Sequence, residues 1–400
     1  MDKIEELLTR GVEKIYPSKE DLEKVLRNGK KLLLYQGFDP TGKQLHIGHM
    51  VGLRKLRQWQ DLGHHVIFLI GDFTGMVGDP TGKSNTRTPL KKEQVLENAK
   101  TYKEQASKIL DFNGGNPVVI KFNSEWLEKM SANEFMYLTS LISYNQIIER
   151  DMFQQRLQKH ESIGVLELLY PILQGYDSVA MKVDLEIGGS DQMFNMLVGR
   201  QLVKEMLGKE KYVMTTPLLT DSEGMKIGKT EGNVIALTNK PEDLYAKVMA
   251  LPDDVIVKGF EYLTDVSMEE IEIIVKEIKN GQNPMSFKKK LAFEIVKQLN
   301  SEHEAEKAQE IFEKKQPMSI PTMSFPRSFI STATVEQGTV AANLASSNSE
   351  AKRVILQGGL KINDQVVTNP NALLITYFKE SEIVMQRGPR KTQRIKPASD

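Results

Sequence analysis

Two histidines, three positions apart, close the stretch Asp39-Pro40-Thr41-Gly42-Lys43-Gln44-Leu45-His46-Ile47-Gly48-His49, where an apolar run, a turn and a helix start meet. Residues 32–38 read as a buried strand, 39–42 as the turn, and 45–62 as a helix with apolar positions at Leu45, Leu53, Leu56 and Trp59. His46 and His49 then share the first-turn face. A helix start offers unpaired backbone N–H groups and a partial positive charge, so its natural ligand is an anion such as a triphosphate. Two imidazoles add donors, and Gly48 leaves room for a flat ring against the backbone. The same pair could also be metal ligands or plain polar surface, and the rest of the chain has to decide.

Length and charge narrow the options. The 400 residues, 40% of them apolar, suffice for two to three domains with real cores. Basic and acidic residues balance at 53 each, so any nucleic-acid contact must come from a local patch. Residues 351–400 hold one, with nine Lys/Arg against four Asp/Glu. The absence of cysteine excludes disulfides, thiolate zinc sites and cysteine nucleophiles, and fits a reducing cytoplasm. The start Met1-Asp2-Lys3-Ile4-Glu5-Glu6 has acids where a targeting peptide would be basic, and there is no run of about eighteen apolar residues. A soluble cytoplasmic protein is expected.

The elements that must position the histidines follow. Residues 66–72 form a second continuous apolar strand, Val66-Ile67-Phe68-Leu69-Ile70, ending in Gly71-Asp72. Strand, helix and strand without polar alternation imply a parallel sheet covered on both faces, with ligands beyond the carboxyl ends of its strands. Gly75-Met76-Val77-Gly78-Asp79-Pro80-Thr81-Gly82-Lys83-Ser84 falls there; it misses the P-loop pattern because Val77 occupies the first glycine position. Residues 90–110 read as one long polar-faced helix, 118–122 as a strand and 131–156 as helical.

Three more stretches could do chemistry. On a helix Tyr170, Gln174 and Asp177 share one face, and a phenol, an amide and a carboxylate among leucines must be paired or functional. Residues 182–187 alternate like a strand and run into Gly188-Gly189-Ser190-Asp191-Gln192, where paired glycines let a ligand approach and an acid suits a ribose diol. Lys226-Ile227-Gly228-Lys229-Thr230 sets two lysines and a hydroxyl around a glycine, a cationic clasp for a pyrophosphate leaving group.

Together these stretches resemble the class I aminoacyl-tRNA synthetases, and by its neighbours the chain resembles the tyrosyl-tRNA synthetases. His46-Ile47-Gly48-His49 matches the first class signature, and residues 226–230, about 180 positions later, match the second with Ile227-Gly228 in place of the commonest form. The resemblance implies a Rossmann-like catalytic domain (1–235) with an insertion at 90–160 carrying a homodimer contact. An α-helical anticodon-arm domain (236–318), a linker (319–335) and a small α+β αL-type RNA-binding domain (336–400) would follow. It implies tyrosine, ATP and tRNA as partners, with magnesium accompanying ATP and no dedicated metal site. Tyr35 and Asp177 would hold the substrate phenol, while Asp79, Tyr170 and Gln174 would hold its ammonium, with Gln192 lining the pocket. Gly37, Asp39, Thr41, His46, Gly48, His49, Gly189, Asp191 and Lys229 would bind ATP. His46, His49, Lys226, Lys229 and Thr230, with Lys83 and Arg87, would stabilise the polyphosphate.

In the tail, residues 345–367 read as a capped helix, a Gly358-Gly359 stop, a strand and an Asn363-Asp364 turn. By the resemblance Lys352, Arg353 and Lys361 are phosphate contacts, supported by Arg390, Lys391 and Arg394. Tryptophanyl-tRNA synthetase, a smaller nucleotidyltransferase of the superfamily and a synthetase-derived RNA-binding protein are the alternatives. Tyr35 with Asp177 argues against the first, the clasp and the tail against the second, and the intact motifs of all four regions against the third.

Overall fold

The computed structural model describes residues 2–81, 90–228, 234–314, 322–363, 365–378, 382–388 and 391–398. The chain divides into two compact units, Met1–Phe312 and Glu313–Asp400. The first is built on six strands: β1 (Lys14–Tyr16), β2 (Leu33–Phe38), β3 (His65–Ile70), β4 (Val119–Phe122), β5 (Leu185–Gly189) and β6 (Tyr212–Thr216). Their order is β1-β6-β5-β2-β3-β4, parallel throughout except for the edge strand β1. Period-two alternation divides the side chains between the faces. Leu34, Phe38, Val66, Phe68, Leu185 and Ile187 share a core with Met50, Leu53 and Leu56 of the helix Ile47–Asp61, whereas Tyr35, Ile67 and Leu69 lie on the other face.

From β2 the chain passes through that helix to β3 on one side, while β5 pairs with β2 on the other. The winding therefore reverses between β2 and β5, and the carboxyl ends of these two strands frame the crevice in which such sheets take ligands. Asp39 leaves β2 there and Ser190-Asp191-Gln192 leaves β5 there.

Several expectations need correction. The first-signature helix begins at Ile47, with His46 as its cap in extended backbone. Residues 90–110 hold two short helices, Lys92–Ala99 and Tyr102–Ala106, because Gln105 turns inward to bond both Leu45 N–H and the Lys43 carbonyl. Residues 131–156 hold Ala132–Ser140, Tyr144–Ile148 and the start of Asp151–Gln158. Ser131 and Ser143 each accept a first-turn N–H and so start a new helix. β4 pairs with β3 and so belongs to the main sheet. The strand read at 182–187 is displaced to Leu185–Gly189, because Lys182 adopts a positive φ that ends the preceding turn.

The helices after β6, among them Pro241–Met249, Ile256–Leu263 and Pro284–Leu299, bury Tyr245, Phe260, Leu291 and Ile295 in the core that also holds the Ile47–Asp61 helix. In the second unit five strands, β7 (Thr322–Phe325), β8 (Leu360–Ile362), β9 (Gln365–Val367), β10 (Ile383–Arg387) and β11 (Lys391–Pro397), follow the order β7-β11-β10-β8-β9. Residues 322–335 are therefore not linker. Met323 and Phe325 alternate toward the core of this sheet, β7 pairs parallel with β11, and Arg327–Thr332 is a helix. The tail otherwise follows its sequence: Ser347 caps Asn348–Leu356, Gly358 at φ +69° ends the chain's helical course, and β8 turns at Asn363 into β9.

Candidate active site

The histidine helix is closed by its own side chains. Nδ1 of His46 accepts Gly48 N–H at 3.2 Å, and Nδ1 of His49 accepts His46 N–H at 3.1 Å. With Nδ1 accepting in both, each neutral ring carries its hydrogen on Nε2. The rings lie 3.8 Å apart, centroid to centroid. The first-turn amides expected to be unpaired are engaged instead: Ile47 N–H with the Ile235 carbonyl at 2.9 Å, and His49 N–H with the His46 carbonyl at 2.8 Å.

The second signature reaches the same place. Gly228 sits at φ +107°, and a Cβ there would lie 3.0 Å from Ile47 Cγ2, 3.2 Å from His46 Nδ1 and 3.3 Å from Gly48 N. A Cβ on Gly48 would in turn lie 3.4 Å from the Ile227 carbonyl oxygen. Ile227 N–H bonds the Leu219 carbonyl at 2.8 Å, and Leu237 N–H bonds the Leu45 carbonyl at 2.9 Å. Segments on both sides of residues 229–233 are therefore anchored, with Gly228 and Ile235–Leu237 both packed on the start of the histidine helix. Lys226 pairs with Asp191 at 2.6 Å, joining the second signature to the loop after β5. A Cβ on Gly189 would lie 2.6 Å from Asp191 Oδ1 and 3.1 Å from Leu218 Cδ2, so the end of β5 is closely packed against that loop.

Below this meeting point lies a polar layer. Asp39 accepts the Thr74 hydroxyl through Oδ1 and the Tyr170 hydroxyl through Oδ2, both at 2.7 Å. Asp79 accepts Thr81 N–H at 2.9 Å and the Gln192 amide at 2.6 Å. Gln174 donates to Glu186 at 3.1 Å and accepts from Asn195 at 2.9 Å. Thr41 N–H bonds the Asp39 carbonyl at 2.7 Å, within the turn that links strand to helix. Gly37 is part of β2, with no contact to a hypothetical Cβ closer than 3.8 Å.

At the far end Tyr35 is fully buried and its hydroxyl lies 2.9 Å from Ser178 Oγ. Asp177 accepts Trp126 Nε1–H at 2.8 Å and the Asn123 amide at 3.3 Å. Burial pushes the Tyr35 phenol well above its usual range, and Glu186 and Asp177 add to this. Burial likewise drives the Asp177 carboxyl well upward, against the pull of its Trp126 and Asn123 donors. Tyr170 is raised by burial first, then by Asp39 and Asp79. Phenols held neutral in this way act as hydrogen-bond donors and acceptors, not as bases.

The structure thus brings together Tyr35, Asp39, Asp79, Tyr170, Gln174, Asp177 and Gln192 on one side, and His46, Gly48, His49, Gly189, Asp191 and Lys226 on the other. Lys83, Arg87, Lys229, Thr230 and Arg390 lie outside the described residues. In the second unit Lys352, Arg353, Lys361 and Lys391 are exposed, while Arg394 is occupied by Glu382 at 3.2 Å. Sequence reasoning passed over Thr74, Asn123, Ser178, Glu186, Asn195 and Lys211. None of them carried a signal of its own, since Glu186 merely continues the alternation begun by Lys182 and Asp184.

Known proteins can be set against this geometry. Residues 27–315 match the family of tRNA synthetases class I (W and Y), and residues 339–374 match the S4 domain. Over 401 residues the chain is 41% identical to the tyrosine--tRNA ligase of Geobacter metallireducens, covering 97% of each. The chain belongs to the tyrosine--tRNA ligases of class I. Membership extends over both units, since the tyrosine--tRNA ligase of Aquifex aeolicus is 42% identical across 94% of each chain. In three dimensions the class I part resembles a C-terminally truncated mitochondrial tyrosyl-tRNA synthetase of Coccidioides posadasii. The TM-score is 0.64 at 25% identity, over 78% of this chain and 92% of that one. The tryptophanyl alternative finds no support among these near-full-length relatives.

Proposed function

We propose that the crevice binds L-tyrosine with its phenol at Tyr35 and Asp177 and its ammonium at Asp79, Tyr170 and Gln174, with ATP held between the two signatures. The tyrosine carboxylate, already ionised, attacks the α-phosphorus in line; the bond to the β-phosphate oxygen breaks and pyrophosphate leaves. A ribose hydroxyl of the terminal adenosine of the tRNA then takes the tyrosyl group and AMP departs. Because the nucleophile needs no base, catalysis consists of positioning and charge stabilisation. Nε2–H of His46 and His49 with Lys226, Lys229 and Thr230 serve the polyphosphate, Lys83 and Arg87 the leaving pyrophosphate, and Asp191 the ribose. Magnesium enters with the nucleotide as its counter-ion and is assigned no protein ligand.

The observation that carries this reading is the packing of Gly228 and Ile235–Leu237 against the start of the histidine helix, which puts both signatures over one crevice. The second unit presents Lys352, Arg353 and Lys361 to tRNA phosphates. Two copies pair through apolar side chains left exposed on helices of one shared core, among them Met136, Tyr144 and Val165 at 68%, 61% and 71%. The protein works in the cytoplasm; among the described residues no helix is long and apolar enough to cross a membrane. The test is ATP–pyrophosphate exchange with the purified chain. Exchange driven by tyrosine and not by tryptophan is expected; exchange indifferent to tyrosine would overturn the assignment.

A further inference from the structure

Beside the polar layer lies a buried ion pair. Lys211 at the start of β6 is fully buried and its ammonium is bonded to Glu186 of β5, which is itself only 2% exposed. Room for the ammonium exists because residue 199 is glycine: a Cβ there would stand 2.7 Å from Lys211 Nζ. A buried pair of this kind is poor evidence for stability, since desolvation offsets much of the attraction. Its neighbours suggest another use. Glu186 is the register partner of Tyr35 across β2 and β5 and faces the helix Val165–Ala180 on the same side.

Two chains of hydrogen bonds start from this carboxylate. A carboxylate only accepts, so each neighbour must turn a donor toward it. Along one branch Gln174 gives its N–H₂ to Glu186 at 3.1 Å, which leaves its oxygen to accept from Asn195 at 2.9 Å. The same Asn195 amide donates to Gln192 Oε1 at 3.0 Å, so Gln192 turns its own N–H₂ to Asp79 at 2.6 Å. Along the other branch Ser178 donates to Glu186 at 3.2 Å, so its oxygen accepts the Tyr35 hydroxyl at 2.9 Å and Tyr35 keeps its lone pairs for a hydroxyl donor. Glu186 thereby fixes an acceptor for a phenol O–H at Tyr35 and, together with Asp79, which accepts whatever its neighbours do, an acceptor for an ammonium at Gln174.

We propose that Glu186 and Lys211 form a positioning pair that sets the polarity of both ends of the tyrosine site through these two branches. This rests on the reading that Asp79, Tyr170 and Gln174 take the substrate ammonium and Tyr35 the phenol. Neither residue of the pair touches substrate. Lys211 gives the buried Glu186 carboxylate its countercharge, and Glu186 orients the groups that do touch it.

The test uses the full chain and two discrimination ratios, which a loss of folded fraction would leave unchanged. The first compares the tyrosine KM with the inhibition constant of 3-(4-hydroxyphenyl)propionate, which lacks only the ammonium; the second compares kcat/KM for tyrosine and phenylalanine. The neutral pair Glu186→Gln with Lys211→Met removes the charge that orients Gln174 and Ser178. Both ratios are expected to fall at least about tenfold, the worth of one misdirected hydrogen bond to a charged or buried partner. Asn195→Leu, which keeps the ion pair and cuts only the first branch, should lower the first ratio and leave the second within about twofold. Ser178→Ala should do the reverse, and these two carry the test should the pair variant not fold. Ratios within twofold of wild type in all folded variants would overturn the proposal. Equal affinity of the unaltered protein for tyrosine and its des-amino analogue would instead refute the underlying assignment of the ammonium site.

Discussion

Gly228→Ala is the perturbation with the clearest structural magnitude. At φ +107° an L side chain is strained whatever the space around it, and the new methyl would meet Ile47 Cγ2 at 3.0 Å, His46 Nδ1 at 3.2 Å and Gly48 N at 3.3 Å. Two of these three atoms belong to the capping turn, which is pinned by the Gly48–His46 and His46–His49 bonds and cannot retreat cheaply. The backbone strain alone is worth about 1–3 kcal/mol. Contact with the histidine helix is therefore the arrangement that alanine disfavours. If that contact is the one in which adenylate forms, the step slows roughly 5- to 150-fold, a factor of ten for each 1.4 kcal/mol. Tyrosine affinity, which the proposed function assigns to Tyr35, Asp79, Tyr170 and Asp177, stays within about twofold on the same scale. Rapid-quench measurement of tyrosyl-adenylate formation, paired with equilibrium tyrosine binding, separates the two quantities. An unchanged rate in a folded protein would show that the contact between the signatures has no part in the reaction; a parallel loss of tyrosine affinity would show that the methyl acts through the pocket.

Lys229→Ala is expected to slow adenylate formation far more than it weakens tyrosine binding, and a normal single-turnover rate would remove that lysine from the polyphosphate. His64 is pushed down to about 4 by burial and by Lys31, and its Nδ1 accepts Leu32 N–H at 3.1 Å. Its folded pKa lies below the unfolded value, so the native state binds fewer protons. Stability present above about pH 6.5 is thus lost as pH falls toward 4, at up to about 1.4 kcal/mol per pH unit. His64→Asn keeps an acceptor for Leu32 and removes the titration. Urea unfolding at several pH values between 4 and 7 should show a shallower pH dependence, and an unchanged slope would acquit His64. Val165→Asp with Tyr144→Asp should shift the protein to monomer in sedimentation velocity, whereas an unaltered sedimentation coefficient would place self-association elsewhere.

Much of the site is legible in the amino-acid sequence because its parts are local. The His46–His49 pair, the glycines that end β5 and the Lys226 segment are short strings whose spacing carries their meaning. The strands at 33–38 and 65–70 are apolar runs with only one rendering. The parts that are not legible depend on register and on partners far apart in the chain. Glu186 becomes informative only when β2 and β5 align it with Tyr35, and Lys211 only when Gly199 opens a path to it. Asp39, read as an ATP contact, turns out to bond Tyr170 and Thr74, a relation between residues more than thirty positions apart. The misread linker at 322–335 has a similar origin: prolines and hydroxyls mark loops on average, but Met323 and Phe325 alternate into a sheet whose partner strand comes some seventy residues later.

The central claim, that tyrosine and one nucleotide lie between two signatures meeting over β2 and β5, is tested most directly by a crystal structure with an unreactive tyrosyl-adenylate analogue. The account predicts the phenol between Tyr35 and Asp177, the ammonium at Asp79, the ribose at Asp191 with the Lys226 ion pair released, and the phosphate mimic within reach of His46 and His49. An analogue bound away from the strand ends, or one leaving Asp191 still paired with Lys226 and both histidines distant, would contradict it.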